Sequence, residues 1–152
     1  MNKFRQRFAM VAALSLMMIP AWATGQAQAR KAINVSPQRG LPFSDGVRVG
    51  NTLYVAGQEG TDSSDKLVAG GIGPETKAAL ENIQKVLKAG GFELKDIVSV
   101  TVFLADIHEF GDMNSVYKNF LPDPKPARAT VQVAALVNGA RIEISAIAVK
   151  EK

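Results

Sequence analysis

Cysteine is absent from the 152 residues, which removes disulfides, thiolate metal sites and a cysteine nucleophile together. Histidine occurs once, at His108 between Asp106 and Glu109. A lone histidine among acids reads as a solvated loop residue rather than a metal ligand or base, and no serine is placed beside it to form a Ser-His-Asp triad. Aromatic residues are sparse, at 7%, and no Lys/Arg cluster is interleaved with them, so no nucleic-acid groove is indicated. The glycines at Gly70, Gly71 and Gly73 are not followed by Gly-Lys-Ser/Thr, and no G-x-G-x-x-G occurs, which sets aside a phosphate loop. The one long apolar run, Phe8 to Ile19, is short for a bilayer span and is broken by Pro20.

That run has a different meaning beside its neighbours. Lys3, Arg5 and Arg7 make a basic head, and Ala21-Trp22-Ala23 or Ala27-Gln28-Ala29 supplies an A-x-A cleavage site. The expected organisation is a signal peptide over residues 1–23, with cleavage as late as 29, a linker over 24–31, and one domain over 32–152. The address is then the bacterial periplasm, with no stable membrane span once the signal is removed. All fourteen acidic residues follow residue 29, whereas three of the eighteen Lys and Arg precede it. The remainder therefore carries 15 basic against 14 acidic side chains, a net of +1. The basic character of the whole chain belongs to its leader.

About 120 residues suit a single core. Arg30 to Pro42 reads as an extended lead-in with a strand at Ala32 to Val35. Val47 to Val49 and Leu53 to Ala56 form a hairpin across Gly50-Asn51, since glycine supplies the positive φ of a two-residue turn. Gly57 to Asp65 reads as a loop. Pro74 to Ala89 has the helical period, with Leu80, Ile83 and Leu87 on one stripe and Gly90-Gly91 as the stop. Ile97 to Leu104 is rich in Val, Thr and Phe, hence a strand. Phe110 to Phe120 is a second helix, with Met113, Val116, Tyr117 and Phe120 at core spacing. The fold class is α+β, a mixed sheet with both helices on one face.

The closing stretch, Pro126 to Val149, carries the chemistry. Two β-branched runs flank Asn138-Gly139, and each contains a charge among small or apolar neighbours. Alternation sets Arg128, Thr130 and Gln132 against Ala129, Val131 and Val133. It likewise sets Glu143, Ser145 and Ile147 against Ile142, Ile144, Ala146 and Ala148. A desolvated guanidinium requires an anion, so Arg128 is expected to pair either with Glu143, closing the sheet, or with a carboxylate from outside.

The residues around the pair resemble the signature of the Rid family, the reactive intermediate deaminases also called YjgF or RidA. The matching elements are Pro126-Ala127-Arg128-Ala129, Val131 and Ile142-Glu143-Ile144. The resemblance extends through Leu53 to Gln58, Ala79 to Ile83, Val100 to Leu104 and Met113 to Tyr117, covering about Ala32 to Lys150. It implies a chorismate-mutase-like homotrimer with sites between subunits, and hydrolysis of enamines and imines such as 2-aminoacrylate to 2-keto acids and ammonia, without metal or organic cofactor. The substrate or partner implied is a small carboxylated imine, enamine or keto acid. Arg128 would clamp the carboxylate and Glu143 would hold or activate a water, with Thr130 beside them where many members carry cysteine. Gly57 and Asn114 match pocket positions. Phe43 stands where the family has a tyrosine, and Ala56 where it has a serine, so two hydroxyl donors are missing. These departures keep open a non-catalytic trimer that binds carboxylated metabolites or acts as a holdase. An endoribonuclease, an activity attributed to some relatives, is disfavoured by the near-neutral charge and the lack of a general-base histidine.

Overall fold

The structure, a computed structural model, describes residues 28–35, 40 and 42–151. The leader, residues 24–27 of the linker, the Ala21-Trp22-Ala23 cleavage site and Ala27 of the second lie outside the described residues. Six strands form one sheet in the order β1-β2-β3-β6-β4-β5: β1 is Arg30–Ile33, β2 Gly46–Val49, β3 Thr52–Glu59, β4 Ile97–Leu104, β5 Ala127–Gln132 and β6 Ile142–Val149. Every neighbouring pair is antiparallel except β4 and β5, which run parallel, so the sheet is mixed as expected. Helices α1, Ile72–Gly90, and α2, Phe110–Phe120, pack together and cover one face. Among the described residues, no helix is long and apolar enough to cross a membrane.

The core forms where the two periodicities meet. In α1, Ala79, Leu80, Ile83, Val86 and Leu87 are buried, as the 3.6-residue spacing requires. They meet Leu53 and Val55 of β3 and Ile142, Ile144, Ala146 and Ala148 of β6, all fully or nearly fully buried. The helix ends on Gly91 at φ 81°, a left-handed cap whose N–H bonds the Lys88 carbonyl. Its start, Ile72, lies two residues before Pro74, which occupies the first turn where its missing N–H costs nothing.

Four expectations are corrected. β1 begins at Arg30, inside the expected linker, and ends at Ile33. β3 runs on through Glu59: a bulge between Val55 and Gln58 lets Gly57 and its neighbours stay in the sheet, and the Gln58 amide donates to the Ala56 and Gly57 carbonyls at 3.3 and 3.1 Å. The runs on either side of Asn138-Gly139 are not paired with each other, because β4 lies between β5 and β6. Nor is β5 a core strand; it is an edge strand, exposed or half-buried throughout.

The face opposite the helices is open. Tyr54 and Ile147 sit opposite each other in register and are 51% and 36% exposed. With Ser99, Thr101 and Ser145 they line a shallow depression of about 230 Å³. Toward the β5 edge this face continues through Phe103 and Val131, themselves register partners. The apolar side chains of this face, Tyr54, Phe103, Val131 and Ile147, are thus interspersed with Ser99, Thr101 and Ser145 and with the register partners Glu59 and Glu143.

Candidate active site

Register decides where the two signature charges point. Arg128 is opposite Val100 and Thr130 opposite Val102, and both valines are buried beneath the helices. Arg128 and Thr130 therefore lie on the helix side of the sheet, at its β5 margin. Glu143 is opposite Phe103 of β4 and Glu59 of β3, on the open side. The two charges are thus on opposite faces with a strand between them, and the internal Arg128–Glu143 ion pair does not form.

What holds Arg128 instead is α2. Phe110, Asn114 and Tyr117 follow one another at i, i+4 and i+7, a single stripe of the helix. The guanidinium donates from Nη1 to Asn114 Oδ1 at 2.8 Å. It also lies over the Tyr117 ring, 4.4 Å from the centroid, and 5.5 Å from that of Phe110. Such stacking contributes between about 0.5 and 2 kcal/mol, depending on desolvation, which positions a cation without neutralising it. Among the described residues no carboxylate comes within ion-pair distance of Arg128. The Thr130 hydroxyl nearby is buried and lacks a hydrogen-bond partner; the Tyr117 hydroxyl is buried too, close to the Arg128 guanidinium but outside ordinary hydrogen-bond geometry. Burial pushes the Tyr117 phenol above its ordinary value, and the positive charge of Arg128 works in the other direction. Thr130 Oγ1 is covered in this conformation, so a bound molecule reaches it only if a neighbour shifts.

Glu143 belongs to a second group of residues. Its carboxylate lies directly over Gly57: a Cβ there would stand 2.6 Å from the carboxyl carbon and overlap Oε1 outright. The φ of Gly57 is not in the left-handed region, so glycine is needed at this bulge for space alone. Ala56, beside it, donates its N–H to the Asp45 carbonyl at 2.9 Å. Phe43 lies in the β1–β2 connection, 57% exposed, on a loop held by the Asp45 carboxylate, which accepts from Val35 N–H at 2.8 Å. That connection borders the sheet margin opposite Arg128. His108 is exposed, and its backbone N–H donates to Asp106 Oδ1, the cap of that turn, at 2.9 Å; its ring has no place in either group. Among the described residues no cluster suited to a metal ion occurs.

Five of the six expected site residues therefore fall into two groups, Arg128, Thr130 and Asn114 on one face and Gly57 and Glu143 on the other, while Phe43, on the β1–β2 connection, joins neither. Sequence reasoning missed Phe110 and Tyr117 as the seat of the guanidinium, reading Tyr117 as core only. The signal available was an asparagine set among aromatics on one helical stripe.

Comparison with known proteins bears on this arrangement. A family model described as Endoribonuclease L-PSP matches residues 33–150. The chain belongs to that family, the YjgF/RidA or Rid proteins. The mouse Rid protein named 2-iminobutanoate/2-iminopropanoate deaminase is 48% identical over 110 residues, 72% of this chain and 82% of its own. The human protein of that name is 44% identical over 124 residues, 80% of this chain and 90% of its own. Among solved Rid structures, RidA from an Antarctic Psychrobacter superposes with a TM-score of 0.74 at 36% identity, covering 79% of this chain and 99% of its own. TdcF of E. coli, solved with bound serine, gives 0.74 at 31% identity over 80% of this chain and 99% of its own.

Proposed function

We propose that this Rid protein hydrolyses small carboxylated imines and enamines of the 2-aminoacrylate type to 2-keto acids and ammonia, at sites built between copies of the chain in a homotrimer. The observation that carries the reading is a guanidinium held by Asn114 and an aromatic seat yet supplied with no carboxylate among the described residues. Desolvating such a group is costly unless an anion arrives, and a carboxylate binds it with two parallel hydrogen bonds. The curated mouse and human relatives carry the name of this activity.

In this scheme Arg128 takes the substrate carboxylate and so fixes the imine carbon. Glu143 of a second copy, whose open face packs against the β5 edge, holds a water and accepts its proton as the oxygen attacks. The electrons of the C=N bond pass to nitrogen, which is protonated and leaves as ammonia when the carbonyl forms. Orientation of this kind removes several kcal/mol from a barrier. The apolar side chains of the open face support assembly, since Tyr54, Ile147 and Val131 would be buried by it. The basic head and apolar run before residue 20 support export to the periplasm, which cell fractionation tests.

The direct assay generates 2-aminoacrylate or 2-iminobutyrate with an amino-acid dehydratase and follows imine loss. Acceleration that disappears in Arg128→Ala is expected; equal rates with and without the protein would end the reading. A second reading rests on the completeness of the Arg128 seat within one chain: a carboxylate binder without turnover. Its mark would be a keto acid that raises Tm in wild type but not in Arg128→Ala, with no imine loss.

A further inference from the structure

Helix α2 carries the seat of Arg128, yet little within the helix holds its own first turn. Of its residues only Met113 and Tyr117 are buried, and Phe110, the first, is 37% exposed. Gly111 has open space where a Cβ would stand. Glu109, at the cap position, makes no side-chain bond to the N–H groups of that turn. A helix start left uncapped frays unless a contact from outside fixes it.

That contact is Arg141. Its Nη1 donates to Glu109 Oε1 at 2.5 Å, and its carbonyl accepts the Ala105 N–H at 2.9 Å, so one residue grips both ends of the β4–α2 connection. Arg141 is held in turn by Glu75 of α1, through its N–H at 2.9 Å and its Nε at 3.8 Å. Between these ends the Ile107 N–H donates to Gln132 Oε1, at the end of β5, at 3.1 Å. Glu109 Oε2 is buried with no partner, and among the described residues no cation other than Arg141 lies within ion-pair distance of this carboxylate. With side chains 49% and 21% exposed, the pair is screened less than one standing fully in water. Phe110, whose ring lies 5.5 Å from the Arg128 guanidinium, is the next residue after Glu109. Asn114, the acceptor of that guanidinium, follows one turn later.

We propose that Glu109 and Arg141 are positioning residues for the carboxylate clamp: their ion pair fixes the first turn of α2, and with it the direction in which Phe110 and Asn114 hold the Arg128 guanidinium. This rests on the reading of Arg128 as the group that takes the substrate carboxylate. Without the pair the start of α2 samples several positions, and the guanidinium is aimed correctly for only a fraction of the time. Apparent affinity falls by that fraction, while the reaction of bound substrate is unchanged.

The test uses the full assembled protein and two variants. Glu109→Ala deletes the pair together with the buried unpartnered oxygen and leaves Arg141 to Glu75; Arg141→Gln removes the pair from the other side. The probe is pyruvate, the simplest 2-keto acid, titrated calorimetrically where each variant is folded, with KM and kcat measured on 2-iminobutyrate. The pyruvate Kd and KM are expected to rise about threefold to tenfold in either variant, no further than loss of the direct Asn114 bond would take them. The kcat should stay within about twofold of wild type. The double variant should bind no more weakly than the worse single one, because both changes remove the same contact. A pair that only stabilises the fold would lower Tm and leave the pyruvate affinity of the folded protein unchanged. That result in Glu109→Ala overturns the proposal, even if Arg141→Gln fails to fold. If Arg128→Ala binds pyruvate as tightly as wild type, the clamp reading fails and the proposal with it. If pyruvate binding depends on both Arg128 and Glu109 while imines are untouched, the proposal stands and the deaminase reading falls.

Discussion

Replacing Gly57 with alanine should separate catalysis from stability. The added methyl would sit 2.6 Å from the Glu143 carboxyl carbon and 2.9 Å from its Cγ, against an ordinary contact of 3.4–4 Å. Glu143 Oε1, which would stand 1.8 Å from the methyl, must withdraw by about 1.6 Å or more to reach ordinary contact, and it can, since the obstructing atoms are the far end of a flexible side chain rather than backbone. The backbone itself accepts alanine, because φ is not left-handed. Lost chain entropy in the unfolded state even favours alanine by about 0.4–1 kcal/mol at a compatible site. Stability is therefore expected to stay within about 1 kcal/mol of wild type. Catalysis is not so forgiving: a misplacement of about 1 Å in a reacting group costs on the order of a hundredfold. The expected protein melts normally and binds keto acids through Arg128, yet hydrolyses imine about a hundredfold more slowly in kcat. Full activity in Gly57→Ala would refute the assignment of Glu143 to the reaction.

Further expectations follow from the same contacts. Asn114→Ala removes the acceptor at 2.8 Å from Arg128 and should raise KM about tenfold, as expected for a hydrogen bond to a charged group, with kcat nearly unchanged in steady-state assays. Tyr117→Phe deletes a buried hydroxyl that has no partner at ordinary hydrogen-bond geometry, only the Arg128 guanidinium close by, while keeping the ring under that guanidinium. Its unfolding free energy should be equal to or higher than that of wild type, by up to about 1 kcal/mol in urea titrations. Glu75→Ala leaves the Arg141 N–H without its acceptor at the start of β6 and should cost about 2 kcal/mol by the same measurement. Glu59 has its carboxyl raised in the fold, so its own contribution is most favourable near and below pH 4.5 and is lost as pH rises through the raised value. Glu59→Gln should accordingly raise Tm at pH 7.5 and leave it little changed at pH 4.5.

The helices and central strands were legible because their periodicity is a core pattern. Ile97 to Leu104 and Phe110 to Phe120 run between the expected residues. β3 was cut short because Gly57 and Gly60 look like loop residues in sequence. In the fold they are close-approach positions, one under Glu143 and the other against Glu75. Strand order was not legible either: Asn138-Gly139 suggested that β5 and β6 are neighbours, whereas β5 pairs parallel with β4 and only the connection carries the turn. That insertion of β4 is what breaks the internal ion pair. Alternation did predict that Arg128 and Thr130 share a face, but a sequence has no means of relating the face of one strand to that of another before pairing is known. The seat of Phe110, Asn114 and Tyr117 was hidden for a related reason: Tyr117 is buried like core, and only its contact with Arg128 shows its second role.

The central claim is that Arg128 of one copy meets Glu143 of another. Mixing two inactive variants, Arg128→Ala and Glu143→Gln, after dissociation and reassembly tests it most directly. Random pairing would restore one intact Arg128–Glu143 seam in four, so about a quarter of wild-type imine hydrolysis should return. If the mixture stays as inactive as its components while reassembled oligomers are demonstrated, the half-sites do not complete one another across chains and the account is contradicted.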